Sequence, residues 1–154
     1  MEREVIKKRF TSGKTYTHAT GHSCAFRQWK AETTHCKFLH GYGISFKLWF
    51  EGDLDERNWV YDFGDCKWIK EFLEDTFDHT LVIASDDPEV ELFKGLYEKK
   101  VCKLWVLDNV GCEKFAELVY VYVAPTLKEK TEGRVSLQSV ECFEHGANSA
   151  IYLG

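Results

Sequence analysis

Polar and apolar residues alternate through Ile44-Ser45-Phe46-Lys47-Leu48 and the run closes on Trp49-Phe50. Successive strand side chains point to opposite faces, so this pattern predicts a strand with Ile44, Phe46, Leu48 and Phe50 turned to a core. A first strand is expected from about Val5 to Thr20. The two make a long hairpin whose irregular connection contains Cys24 to Cys36. The spacing of Trp68, Ile69, Phe72 and Leu73 predicts an amphipathic helix, with Asp62 as its N-cap. Asp87-Pro88 opens a second, shorter helix, because proline fits a first turn. A third strand is predicted over Val101 to Leu107, and a helix from Glu113 to about Leu127 that breaks near Pro125. Val135 to Glu144 and Ser149 to Leu153 alternate around Gly146-Ala147-Asn148, a turn signal. Strands at both ends with helices between them imply an α+β fold, an antiparallel sheet with helices packed on one face.

Composition narrows the function classes. The 154 residues form one domain, 1–154, large enough to bury a single core. With 20 basic against 25 acidic side chains, and Lys7-Lys8-Arg9 as the longest basic run, no nucleic-acid partner is expected. No apolar run has the length of a membrane span or a secretory signal, so a cytoplasmic address is expected. The six cysteines are scattered and form no Cys-x-x-Cys pair, which favours reduced thiols.

Chemistry concentrates in Cys36-Lys37-Phe38-Leu39-His40-Gly41-Tyr42. His40 and Tyr42 share a strand face, and Gly41 leaves room beside them. Of the cysteines, Cys36 has the neighbours suited to activating a thiolate, His35 and His40. Three further segments carry polar chemistry: Gly21-His22-Ser23-Cys24, Phe77-Asp78-His79 and Phe143-Glu144-His145-Gly146. An aspartate beside an imidazole fixes its tautomer and raises its basicity. Trp29, Trp49, Trp59 and Phe143 are read first as core rings, and Glu113 as a charge placed favourably at a helix start.

In order and separation, Cys36, His40, Gly41, Asp78-His79 and Glu144 resemble the 6-pyruvoyltetrahydropterin synthase and 6-carboxytetrahydropterin synthase family. Its signature is a histidine, Cys-x-x-x-His-Gly-His, Asp-His and a late Glu. Tyr42 stands where the second strand histidine belongs. The resemblance implies the tunnelling fold (T-fold) and a ring-like homo-oligomer, commonly a hexamer of two trimers. It also implies a carbon–oxygen lyase acting on the pterin 7,8-dihydroneopterin triphosphate. The expected activity is that of a 6-carboxytetrahydropterin synthase, on the route to deazaguanines and queuosine. The alternatives are a 6-pyruvoyltetrahydropterin synthase and a non-catalytic pterin-binding protein.

Under the same resemblance Cys36 is the general base, Asp78 and His79 its proton-transfer partners, and Glu144 the anchor of the pterin ring. Glu113 is a secondary substrate contact, and Glu141 competes with Glu144 for the anchor role. Zinc is the implied cofactor, with His22, His40 and Tyr42 as ligands and His18 or His35 as other sources of the third donor.

Overall fold

The computed structural model describes residues 10–16 and 21–154. The predicted alternating strand is longer than its core segment. It spans His40–Gly52 (β3) and forms the centre of the sheet. Two earlier strands pair antiparallel with it: Phe10–Tyr16 (β1) along its second half and His22–Phe26 (β2) along its first. The single first strand expected over 5–20 is therefore described over 10–16, and the rest of that range lies outside the described residues. At the entry to β2, Gly21 has φ 71°. A Cβ there would stand 2.4 Å from the Gly43 carbonyl carbon, so the close approach of these two backbones requires glycine.

On its other side β3 pairs with Val135–His145 (β6), which turns into Asn148–Leu153 (β7), the predicted hairpin. Thr80–Ala84 (β4) and Lys103–Leu107 (β5) complete the sheet. Its order is β5-β4-β2-β3-β6-β7, with β1 also on β3. Both run parallel to their neighbours, β4 to β2 and β5 to β4. The sheet is thus mixed, with parallel pairs beside the expected antiparallel ones. All five residues of β4 are buried. That explains why its continuous apolar run shows no alternation: a strand covered on both faces has no polar side.

The covers are helices Lys67–Phe77 (α1), Val90–Glu98 (α2) and Cys112–Lys130 (α3). Ile44, Phe46, Leu48 and Phe50 of β3 are fully buried, in one cluster with Ile69, Leu73 and Phe77 of α1 and Phe115, Val119, Val123 and Leu127 of α3. Val82 and Ala84 join this cluster, whereas Leu81 and Ile83 pack against Phe93 of α2. Alternate residues of one strand meet different helices, so α2 covers the opposite face from α1 and α3. The expectation of helices on a single face holds for two of the three.

Two local expectations change for physical reasons. Asp62 caps a single 3₁₀ turn, Phe63–Asp65, by accepting the Gly64 N–H at 2.8 Å, and α1 begins afterwards. Pro125 sits inside α3, which continues to Lys130. The proline is exposed, and so is Val121, whose carbonyl loses its usual partner there, so the break lies on the solvent side of the helix while buried Val123 and Leu127 hold it down.

One ion pair fixes the end of β2. The Arg27 guanidinium binds Asp87 through both carboxylate oxygens, Nε donating to Oδ2 at 2.7 Å and Nη2 to Oδ1. The Asp87 side chain is 1 % exposed and also accepts the Glu89 N–H at 2.9 Å. Hydrogen bonding by Arg27, against the opposing effect of burial, holds the Asp87 carboxyl below the usual range. Its stabilisation is complete above the unfolded carboxylate value and is lost as pH falls through the lower folded one. Asp87→Asn is expected to cost about 2 kcal/mol at neutral pH. In chemical denaturation, the gap between variant and wild type narrows as the solution is acidified.

Candidate active site

The first residue of β3 and the last of β2 face each other, His40 opposite Phe26, and Tyr42 lies opposite Cys24. Paired residues share a face. His40, Tyr42 and Phe26 therefore form one patch on the helix side of the sheet. The Tyr42 ring stacks on Phe26 at 4.7 Å and meets the His40 ring at 4.5 Å, while Phe26 packs edge-on against Phe115 of α3 at 5.0 Å.

Glu144, near the end of β6, lies close enough to the same patch for its charge to act on the Tyr42 phenol. Strand alternation decides between the two late glutamates. Glu144 shares its face with buried Cys142, whereas Glu141 points the other way, lies opposite Lys47 and accepts the Ser149 hydroxyl at 2.8 Å. Burial first, then the Glu144 charge and that of Cys36, push the Tyr42 phenol up to about 12. Cys36, Tyr42 and Glu144 thus belong to one electrostatic neighbourhood.

Cys36 is exposed on a 3₁₀ turn, His35–Lys37, capped by Thr34, whose hydroxyl accepts the Cys36 N–H at 3.2 Å. Gln28 fastens this turn to the rest of the site. Its backbone N–H donates to the Cys36 carbonyl at 2.8 Å and its side-chain amide donates to the Val110 carbonyl at 3.3 Å, just ahead of α3. Gly111 has φ 117°, and a Cβ there would collide with the Gln28 amide nitrogen at 2.3 Å. Gln28 and Gly111 therefore bring the Cys36 turn alongside the first turn of α3, where Glu113 lies. No periodicity or motif marks Gln28 in the sequence.

The remaining thiols differ from Cys36. Cys24, Cys66, Cys112 and Cys142 are buried. Burial pushes the Cys24 thiol up to about 12 and raises Cys66 and Cys142, the last also through its contact with Cys112. Buried neutral thiols of this kind pack as small hydrophobes.

Asp78 and His79 lie elsewhere. Asp78 accepts the Ser23 N–H at 2.9 Å and the His79 Nδ1–H at 2.9 Å. Burial raises the Asp78 carboxyl, but those two donors and the charge of nearby His22 outweigh it and hold it below the ordinary range. Ser23 and Gln28 are five residues apart along the chain, about 16 Å at strand rise. Within one chain, Cys36 and His79 are not brought together. His79 also takes a left-handed backbone, φ 54°, with its ring largely in solvent.

The metal ligands read from the sequence do not converge. His22 is 1 % exposed and opposite Ile44, four residues along β2 from the partner of His40, or about 13 Å. Burial lowers its pKa, only partly offset by Asp78 and Glu74, and its Nε2 has no hydrogen-bond partner among the described residues. Both nitrogens of His40 are engaged, Nδ1 with the Phe38 carbonyl at 2.7 Å and Nε2 with the Tyr42 hydroxyl. Tyr42 resists the ionisation that coordination requires. His35 is exposed beside Phe38, and His18 lies outside the described residues. Among the described residues no three His, Cys, Asp or Glu gather as a metal site. The donors among the described residues do not fit a three-ligand zinc site.

Residues 12–154 match the model of the 6-pyruvoyl tetrahydropterin synthase family. The chain belongs to that family. No curated protein matches it. Among solved structures, an uncharacterized protein from Wolinella succinogenes superposes with TM-score 0.81 at 18 % identity, covering 95 % of this chain and 98 % of the other. The 6-pyruvoyl tetrahydropterin synthase of Caenorhabditis elegans gives 0.62 at 21 %, covering 96 % and 97 %. That of Plasmodium falciparum gives 0.61 at 14 %, covering 92 % and 96 %. At these identities the likeness establishes the fold. Within this tetrahydropterin synthase fold, the Cys36 turn, Tyr42, Glu144 and the start of α3 lie at one end of the sheet, and Asp78-His79 at the other end of β2. Among the described residues no helix is long and apolar enough to cross a membrane.

Proposed function

We propose that this chain is a carbon–oxygen lyase of the 6-carboxytetrahydropterin synthase type, acting on 7,8-dihydroneopterin triphosphate. The observation that carries this reading is the convergence of Cys36 and Glu144 on Tyr42 beside the first turn of α3. Glu144 is assigned the ring. A pterin offers an amino group and a ring N–H side by side, and one carboxylate accepts both in parallel. Glu113, in the first turn of α3, is assigned a secondary contact. Cys36 takes a carbon-bound proton from the substrate side chain, and the electron pair released expels triphosphate as the C–O bond breaks.

Asp78 and His79 serve as the second proton-transfer group. Their separation from Cys36 along β2 makes them partners of the Cys36 of another copy, which fits a homo-oligomer of the T-fold kind, a hexamer in this reading. The product supplies deazaguanine and queuosine synthesis in the cytoplasm.

A second reading, a pterin-binding protein without turnover, is favoured by Tyr42, whose raised pKa denies the site a ready metal ligand. Substrate consumption separates the two, with release of inorganic triphosphate expected under the first reading alone. A 6-pyruvoyltetrahydropterin synthase also releases triphosphate and is distinguished by its product. Glu144→Gln is expected to weaken pterin binding by about 2–3 kcal/mol, since an amide presents a donor to the donors of the ring. Calorimetric titration with 7,8-dihydroneopterin measures this, and an equal defect in Glu141→Gln would move the anchor to the other face of β6.

A further inference from the structure

Phe26, His40 and Tyr42 occupy one patch where two strands pair, two of them on β3 two residues apart and the third across the ladder. Three imidazoles at these positions would point into a common space; here a phenyl ring, an imidazole and a phenol fill it. Phe26 stacks beneath the phenol, whose hydroxyl donates to His40 Nε2. His40 is fixed in turn by the Phe38 carbonyl. His22, the candidate nitrogen on β2, is sealed in the core opposite Ile44.

We propose that this site works without a bound metal, the Phe26 phenyl and the Tyr42 phenol filling the space that two further ligands would need, with the phenol donating its hydrogen bond to His40 Nε2. The proposal holds whether or not the chain turns over a pterin.

Equilibrium dialysis against zinc alone tests the metal-free claim, with wild type, His40→Ala and the double variant Phe26→His with Tyr42→His. Wild type is expected to bind no stoichiometric zinc that His40→Ala removes. The double variant, with three neutral imidazoles on one patch, is expected to gain zinc affinity on the order of 100-fold or more. One tight zinc per wild-type chain, lost in His40→Ala, overturns the proposal. Zinc retained equally by His40→Ala lies elsewhere and supports it. A folded double variant with no gain overturns the assignment of this patch as the metal position. If that variant fails to fold, the comparison of wild type with His40→Ala still decides.

Discussion

Cys36→Ala is expected to reduce turnover of 7,8-dihydroneopterin triphosphate by about 10²–10⁴-fold, the usual contribution of a positioned general base. The thiol is exposed, and its turn is held by backbone and Thr34 contacts that the substitution leaves in place. Unfolding free energy therefore changes by less than about 0.5 kcal/mol. Pterin affinity also stays near wild type, because Glu144 and Tyr42 keep their contacts. Steady-state kinetics with a parallel binding titration read both quantities. A variant that keeps more than half its activity, or that loses affinity alone, removes Cys36 from the role of base.

The second large effect lies under the site. Phe115 is fully buried and packs edge-on against Phe26 at 5.0 Å and Phe77 at 5.2 Å, linking α3 to β2 and α1. Phe115→Ala is expected to cost about 3–5 kcal/mol, the transfer free energy of the ring plus the cavity it leaves. Denaturant unfolding measures the loss. Because Phe26 stacks on Tyr42, the same cavity loosens the support of the phenol, so pterin binding weakens as well. A cost under 1 kcal/mol would mean that α3 is not anchored through this ring.

What the sequence made legible follows from how each element buries its surface. The alternation of β3 and β6 was readable because each shows one face to helices and the other to solvent. β4 was not read as a strand, since burial on both faces erases the period of two. Pro125 misled because its cost depends on whether the freed carbonyl faces water, which is a tertiary fact.

In the site, Glu144 and Cys36 were named from motif position, and the shared face of His40 and Tyr42 followed from strand geometry. Register was the missing information. It places Phe26, not His22, opposite His40, and sets Asp78-His79 at the far end of β2 from the Cys36 turn. Gln28 stayed hidden because a lone glutamine bridging a loop to a helix start leaves no pattern in one dimension.

The central claim is that the end of the sheet carrying Cys36, Tyr42 and Glu144 converts a reduced pterin triphosphate. Mass spectrometry of the pterin recovered after incubation of the purified chain with 7,8-dihydroneopterin triphosphate tests it most directly, with Cys36→Ala alongside. The account predicts a pterin that has lost triphosphate and whose shortened side chain ends in a carboxyl group, its two outer carbons leaving as a two-carbon aldehyde with one water consumed, formed by wild type and strongly reduced in the variant. Substrate recovered intact from wild type, or the same product formed equally by Cys36→Ala, would contradict it.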